Sequence, residues 1–343
     1  MTQKFSPQPK TNPSGLIRLR DSIYVVDLLV AAIVWLDLFD WLSDNPADTE
    51  QICTGLRIDR RPTDVMLTLF TAMELIRQEN GKHHLTEMAK EYLIAKSPFS
   101  LRPYFETVKG RPACENMLKV LRTGEPAGWS SNRDEKEWIL AIEKPDIADS
   151  FTAAMNSRGA ILAPALAQNL DCTGHSSLLD IAGGSGIYAC TIASKDVHMK
   201  AAVFEKPPVN RVAERYISSR GMTKRVSVIA GDMFDELPSG YDIHLFSNVL
   251  HDWGEANVRK LLAKSFQALP AGGMIAIHDA HINEDKTGPL PVAEFSVLLM
   301  YSTEGKCYSI AEMREFLEST GFIDIQYLPT MAHWSIITAR KPA

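Results

Sequence analysis

Two residues stand where the sequence could move a proton. His251 lies in the run Leu250-His251-Asp252-Trp253, after the apolar stretch 242–247, and Asp279 follows a second apolar stretch at 273–278. An imidazole titrates near neutral pH and can take a proton from a hydroxyl group. A carboxylate at its second ring nitrogen would fix the tautomer and stabilise the imidazolium that forms. We interpret His251 as a general base and Asp279 as its partner.

Two more histidines, His278 and His281, flank Asp279. Because side chains alternate along a strand, His278 is expected to face away from Asp279. A metal site built from these histidines is an alternative that we consider but do not favour. The sequence therefore predicts no metal.

A glycine-rich turn is the second place where chemistry is indicated. The run Asp180-Ile181-Ala182-Gly183-Gly184-Ser185-Gly186 follows apolar residues, and a helical pattern begins at Ile187. A strand, a glycine turn and a helix can present backbone N–H groups to a nucleotide-like ligand. Gly183, Gly184 and Gly186 would allow close approach, although such turns also serve as plain connections.

Acidic and apolar residues follow the next two predicted strands. Glu205 lies about 20 residues after the turn, a spacing at which a carboxylate accepts hydrogen bonds from ribose hydroxyls. Asp232 could accept from an exocyclic amine, and Met233 and Phe234 could flank an adenine ring. A solvated acid at a strand end is the alternative for Glu205. We favour a nucleoside crevice at the carboxyl edge of the sheet.

The elements that position these residues alternate between strand and helix from Ser176 onward. This alternation predicts a doubly wound parallel sheet. The last two strands are joined too closely for a helical crossover, so we expect them to be antiparallel neighbours. The predicted strands are 177–182, 200–205, 225–230, 242–247, 273–278, 322–328 and 333–339, and the predicted helices are 186–195, 207–220, 255–268 and 309–320.

The N-terminal half reads as helical, with further helices at 99–125 and 134–170. A long helical pattern covers 16–42 and is apolar on most faces in its second half, which requires a core or a partner subunit to cover it. Short helices followed by the turn Asn80-Gly81 suggest a winged helix, and hence a DNA-binding alternative. The stretch 66–76 carries no Lys or Arg, so we do not favour DNA binding.

Bulk properties narrow the class of protein. The 343 residues suggest two domains, and a net charge of −6 offers no general attraction for nucleic acid. Five scattered cysteines argue against a disulfide framework. The N-terminus lacks the apolar core of a signal peptide, and aspartates interrupt the apolar stretch 25–42, which argues against a membrane span. We expect a soluble, cytoplasmic protein with no membrane association.

Together these motifs resemble the S-adenosylmethionine-dependent small-molecule O-methyltransferases, the plant caffeic-acid type and its bacterial relatives. The resemblance covers nearly the whole chain, and Leu250-His251-Asp252-Trp253 is its most specific part. It implies a Rossmann-like class I methyltransferase domain of seven strands, the last antiparallel, after an all-α winged-helix dimerisation domain. The expected division is a flexible arm at 1–15, the dimerisation domain at 16–150 and the catalytic domain at 151–343.

The resemblance also implies roles for single residues. S-adenosylmethionine would be the cofactor, a small aromatic hydroxyl compound the acceptor, and a homodimer the assembly. His251 would be the base, and Asp279 stands where the family usually has a glutamate. The implied cofactor residues are Gly183, Gly184, Gly186, Glu205, Asp232, Met233, Phe234 and Ser247, and the implied acceptor residues are Met155, Leu298 and Ser302.

Two departures from the family pattern leave alternatives open. Ala182 replaces the first glycine of the turn, and Cys307 stands where a second glutamate assists the base. A neutral thiol cannot support an imidazolium as a carboxylate can. Methyl transfer to nitrogen or carbon, a non-methylating reaction, and a winged-helix regulator without catalysis are the alternatives. The sequence does not identify the acceptor.

Overall fold

The computed structural model describes residues 9–127 and 144–343, which fall into two compact units. A helical unit contains described residues 15–127 and 282–309, and a sheet unit contains described residues 9–14, 144–281 and 310–343. Residues 1–8 of the predicted arm (1–15) and residues 134–143 of the predicted helix (134–170) lie outside the described residues. The sequence-based division placed 282–309 in the catalytic domain, whereas the contacts group this segment with the helical unit.

Short helices and one hairpin build the helical unit. Its strands β1 (Ile76–Glu79) and β2 (Lys82–Leu85) pair antiparallel around the turn Asn80-Gly81. Asp48 begins one of the helices with a capping box, in which its carboxylate accepts from the Gln51 N–H at 2.9 Å. The helices are Ser14–Asp21, Val25–Val30, Leu38–Asp44, Thr49–Leu56, Arg60–Ala72, Glu87–Tyr92, Arg102–Glu106, Pro112–Thr123 and Leu290–Ser302, with a π-helical turn at Ala31–Trp35.

The prediction of one long helix over 16–42 was wrong. The first helix ends at Asp21, and Asp37 adopts a left-handed φ of 51°, which an α-helix cannot accommodate. Arg102 holds this break in place, because its guanidinium contacts the Asp37 carboxylate and donates to the Val34 carbonyl at 3.2 Å. A contact distant in sequence therefore ends the helical run.

Helix Arg60–Ala72 is anchored within the helical unit. Met66, Leu69 and Phe70 are fully buried. Arg61, near its start, donates to the carbonyls of Gly124 at 2.6 Å and Gly305 at 2.8 Å. These contacts tie the segment 282–309 to the N-terminal helices.

The sheet unit contains seven strands, which are β3 (Ser177–Ile181), β4 (Lys200–Glu205), β5 (Val226–Ala230), β6 (Ile243–Ser247), β7 (Met274–Asp279), β8 (Ile323–Pro329) and β9 (Ser335–Arg340). Their order in the sheet is β5-β4-β3-β6-β7-β9-β8. Strand β9 pairs antiparallel with β7 and β8, as the short connection between the last two strands predicts. Strand β3 is buried along nearly its whole length, as expected for a central parallel strand covered on both faces.

Helices cover this sheet, and a long one precedes it. We call Pro145–Asn169 the linking helix. The order of the sheet changes direction at β3, whose neighbours are β4 and β6, and the crevice of such a sheet opens beyond the carboxyl ends of its strands. The remaining helices are Ile187–Lys195, Val209–Ser219, Glu255–Ala268 and Ile310–Thr320. Among the described residues, no helix is long and apolar enough to cross a membrane.

Candidate active site

The turn after β3 has an unusual backbone. Ala182, Gly184 and Gly186 adopt positive φ angles of 53°, 55° and 67°. A Cβ at Gly183 would lie 2.5 Å from the Asp180 carboxyl carbon, so only glycine fits there without displacement. Glycine is thus required for a close contact at one position, while Ala182 holds a conformation that L-residues disfavour.

Two carboxylates lie against this turn. Glu205, at the end of β4, accepts from the Gly184 and Lys206 N–H groups, each at 3.0 Å. Burial raises the pKa of Glu205 to about 7, although these two hydrogen bonds oppose the shift. Burial likewise raises the pKa of Asp180 to about 7, and no described residue pairs with its Oδ1. For both carboxylates, the hydrogen bonds within the protein offset only part of the cost of burying the negative charge.

Residues after β5 form a more exposed part of the same edge. The Asp232 carboxylate accepts from the Phe234 N–H at 2.9 Å. The Phe234 ring meets Trp253 edge-on, with the centroids 4.6 Å apart, and Met233 is half-buried between its neighbours in sequence. An apolar ring pair therefore stands beside a carboxylate.

His251 and Asp279 form a buried pair beyond β6 and β7. His251 lies in a short 3₁₀ turn, Leu250–Asp252, and its Nδ1 is 2.5 Å from Asp279 Oδ1. Burial favours the neutral imidazole, but the Asp279 and Asp252 carboxylates outweigh it and raise the pKa of His251. Burial would also raise the pKa of Asp279, yet the contact with His251 lowers it. Each member of the pair therefore stabilises the charged form of the other.

A polar network that the sequence analysis missed holds the residue after Ser247. Asn248 has a φ of 58°, accepts from the Trp334 indole N–H at 2.7 Å and donates to the Tyr188 hydroxyl at 3.0 Å. Ser247 Oγ lies 2.9 Å from Nδ1 of His278, which therefore faces away from Asp279 as strand alternation predicts. The network fixes the start of the segment that carries His251. An asparagine directly after a strand was the available signal, because Asn tolerates left-handed conformations.

The predicted acceptor residues lie in both units. Met155 is on the linking helix of the sheet unit, whereas Leu298 and Ser302 are buried in helix Leu290–Ser302 of the helical unit. Cys307, also in the helical unit, is buried, and its N–H donates to Ser296 Oγ at 3.1 Å. The described residues contain no group of three or more His, Cys, Asp or Glu side chains able to hold a metal ion.

Comparison with known proteins identifies the family. A sequence model of the O-methyltransferase domain matches residues 121–323, well over half of the chain. The chain belongs to the S-adenosylmethionine-dependent O-methyltransferase family. It is 30% identical, over 94% of its length and 92% of the relative's, to the 3-hydroxy-5-methyl-1-naphthoate 3-O-methyltransferase of Streptomyces sahachiroi.

Further likenesses of this methyltransferase extend over most of the chain. It is 30% identical to the L-tyrosine C(3)-methyltransferase of Streptomyces lavendulae, over 84% of this chain and 81% of that one. The crystal structure of an O-methyltransferase family 2 protein from Planctomyces limnophilus, in complex with apigenin, shares 29% identity over 99% of both chains, with a TM-score of 0.89. The seven-stranded fold with its antiparallel last strand is therefore that of the class I methyltransferases.

The cofactor of this family, S-adenosylmethionine, can be tested against the residues present. A Cβ built at Gly184 would meet nothing within 4 Å, so the backbone of the turn is open to close approach there. Glu205 offers acceptor oxygens for ribose hydroxyls, and the uncompensated Asp180 Oδ1 suits a site that receives a cation. The residues at this edge fit the cofactor.

Proposed function

We propose that this methyltransferase methylates a phenolic or enolic hydroxyl of a small aromatic acceptor, with His251 as general base. The observation that carries the proposal is the buried His251–Asp279 pair at 2.5 Å, with the raised pKa of its imidazole. A phenol, whose pKa lies near 10, is within reach of such a base, whereas an aliphatic alcohol is not. The acceptors in the names of the naphthoate and apigenin relatives support this substrate class.

The chain's own residues prepare the acceptor. His251 takes the hydroxyl proton, and Asp279 stabilises the imidazolium and keeps the ring oriented through Nδ1. When bound, S-adenosylmethionine supplies a methyl carbon that its sulfonium makes electrophilic, so alignment and deprotonation remain for the protein. We assign Met155, Leu298 and Ser302 to the acceptor site.

We assign the cofactor to the edge formed by the ends of β3 to β6. In this proposal Gly183, Gly184 and Gly186 approach the methionine moiety and Glu205 holds the ribose hydroxyls. The adenine lies against the remaining cofactor residues, which are Asp232, Met233, Phe234 and Ser247. The backbone at the turn and the hydrogen bonds of Glu205 support the assignment.

Exposed apolar side chains support a homodimer built by the helical unit. Leu16, Leu19 and Tyr104 expose 75%, 72% and 74% of their surface, and Phe99 exposes 61%. In this proposal these side chains belong to one interface, because a contiguous apolar patch marks an interaction surface. We propose that a second copy of the chain covers these side chains.

Two further features belong to the proposal. Helices Thr49–Leu56 and Arg60–Ala72 form a winged helix together with the β1–β2 hairpin. The protein is located in the cytoplasm, which is consistent with its five free cysteines.

Methyl transfer to carbon is the second candidate. The relative named for C-methylation of L-tyrosine, together with a buried cysteine at position 307, favours it. Both reactions begin with deprotonation of a phenol, so His251 would serve either one.

One experiment tests the proposal and separates the candidates. Calorimetry with S-adenosylhomocysteine establishes cofactor binding, and phenolic acceptors are then screened with S-adenosylmethionine by mass for the gain of one methyl group. Proton NMR of the product distinguishes an O-methyl from a C-methyl group. Loss of the hydroxyl signal with an O-methyl resonance supports the main proposal, and a retained hydroxyl with a ring methyl supports the second.

A further inference from the structure

Three side chains join the glycine turn to the linking helix. We call Asn156, Ser185 and Arg220 the clamp. Arg220 donates to the Ser185 carbonyl at 2.6 Å and to Asn156 Oδ1, and Ser185 Oγ donates to the same Asn156 oxygen at 2.8 Å. A single acceptor oxygen thus receives donors from the turn and from the end of helix Val209–Ser219.

Backbone packing reinforces the clamp one turn further along the linking helix. A Cβ at Gly159 would lie 2.5 Å from the Ile187 side chain, so the helix lies against the first residue after the turn. Asn156 and Gly159 are three residues apart and share one helix face. The linking helix therefore contacts the glycine turn and the residue after it from two successive helical turns, at Asn156 and at Gly159.

The surroundings strengthen these contacts. Ser185 is buried, Arg220 is partly buried, and the Arg220 guanidinium lies 5.1 Å from the Tyr216 ring. Hydrogen bonds to a charged donor are stronger than neutral ones, and more so away from water. Displacing the turn would break several of them together.

The linking helix carries residues that face other parts of the site. Met155, assigned to the acceptor, precedes Asn156, and Arg158 lies over the Trp334 ring at 5.6 Å. Trp334 in turn donates to Asn248, three residues before His251. A shift of the linking helix would therefore reach both the acceptor residue and the network that supports the base.

We infer that Arg220 is a positioning residue whose clamp transmits cofactor binding at the glycine turn to the linking helix and thereby orders the acceptor side. The inference rests on the proposed placement of the cofactor. Ordering of the turn by the cofactor is passed through Ser185 and Asn156, so the linking helix becomes less mobile when the cofactor is bound. Two sites linked in this way favour each other's occupancy.

Hydrogen exchange measured by mass spectrometry tests this on the full chain, with saturating S-adenosylhomocysteine as the probe. In the unaltered protein the ligand should slow exchange in peptides of the turn, 181–195, and in those of the linking helix, 150–165. For peptides of the linking helix we expect exchange without ligand to be about five times faster than exchange with ligand. This ratio lies at the lower end of the range for coupling between two sites. The readout is the ligand-dependent change, which a purely structural role of Arg220 would not remove.

Arg220→Met should keep the slowing at 181–195 and bring the ratio at 150–165 close to one. Asn156→Ala removes the amide group that carries the shared oxygen, leaves Arg220 in place and should do the same, which keeps the test available if Arg220→Met fails to fold. Arg215→Met is the matched control, because Arg215 pairs with Asp149 on the linking helix at an exposed position away from the turn. It should behave as the unaltered protein does.

The outcomes separate this inference from the proposed cofactor site. The inference is overturned if the ligand slows exchange at 150–165 as much in both Arg220→Met and Asn156→Ala as in the unaltered protein. It is also overturned if the ligand leaves exchange at 150–165 unchanged in the unaltered protein. No slowing at 181–195 under saturating ligand overturns the cofactor placement as well. Loss at 150–165 in the clamp variants, with the control unchanged, supports the inference.

Discussion

Glu205 and Asp279 end two strands of the same sheet, yet their pKa values shift in opposite directions. Burial raises the pKa of Glu205 to about 7, since backbone N–H groups compensate it only in part. Burial acts the same way on Asp279, but the His251 imidazole reverses it and lowers the pKa. Asp279 has its partner within the protein, whereas Glu205 has only two backbone N–H groups. In the proposed function, the base is therefore preorganised and the cofactor side is completed only when the cofactor binds.

Removing the base should have the largest effect. His251→Ala is expected to lower kcat by about 10²- to 10⁴-fold, the usual contribution of a general base. Affinity for S-adenosylhomocysteine should stay within about twofold, because the imidazole belongs to the preorganised side. Calorimetry and steady-state kinetics measure the two effects, with the exposed His198→Ala as control. Lost cofactor binding in His251→Ala would contradict the division of roles.

Asp279→Asn should cost about 10²-fold in turnover and also move the pH profile. A base works when neutral, so kcat/KM of the unaltered enzyme should rise with pH through an apparent pKa above the usual His value of 6.5. The amide removes the carboxylate that raises this pKa, and the rise should shift to lower pH. A profile that stays in place would show that Asp279 does not act through His251.

Glu205→Gln should weaken cofactor binding rather than deprotonation of the acceptor. We expect S-adenosylhomocysteine affinity to fall about tenfold at pH 8, since a hydrogen bond to a charged acceptor contributes about 1.5–3 kcal/mol and the neutral amide retains about 0.5–1.5 kcal/mol of it. In the unaltered protein the affinity should increase from pH 6 to pH 8, as the carboxyl with a pKa of about 7 loses its proton. The Gln variant should lack this dependence. The exposed Glu214→Gln serves as control, and equal pH dependence in both variants would refute the role of Glu205.

The smallest effect is expected at the turn itself. Ala182 holds a φ of 53°, a conformation that costs an L-residue roughly 1–2 kcal/mol and that glycine adopts freely. The greater freedom of glycine in the unfolded chain offsets about 0.4–1 kcal/mol of this, so Ala182→Gly should raise the free energy of unfolding by about 0.5–1 kcal/mol. Urea denaturation measures it. Ala189→Gly, within a helix, should instead destabilise, and a loss for both would refute strain at Ala182.

The sheet unit could be predicted closely from the sequence, because the strands are bounded by turns and separated by amphipathic helices. Helix Glu255–Ala268 has the predicted bounds, β6 begins one residue later than predicted, and β7 is shifted by one residue at both ends. Parallel topology then brings the strand ends, and with them Glu205 and Asp279, to one edge. Local pattern and global fold agree there.

The helical unit was less predictable for a physical reason. Apolar periodicity continues through 16–42, but the break at Asp37 depends on Arg102, which is far away in sequence. Helix Leu290–Ser302 is buried on nearly every face, so its pattern gives no side that indicates which elements it packs against. The Asn248 network was likewise missed, since its members come from four separate segments of the chain.

The three carbonyl groups that Arg61 contacts at Met300, Thr303 and Gly305 also set an order of events during synthesis. Domains ordinarily fold from the N-terminus as the ribosome releases them. Here the first helices emerge long before the residues that satisfy Arg61, and five of the seven strands of the sheet, β3 to β7, are translated in between. The nascent helical unit must therefore wait, incomplete, until translation has passed residue 305, and a chain stopped earlier would lack part of its first-made unit.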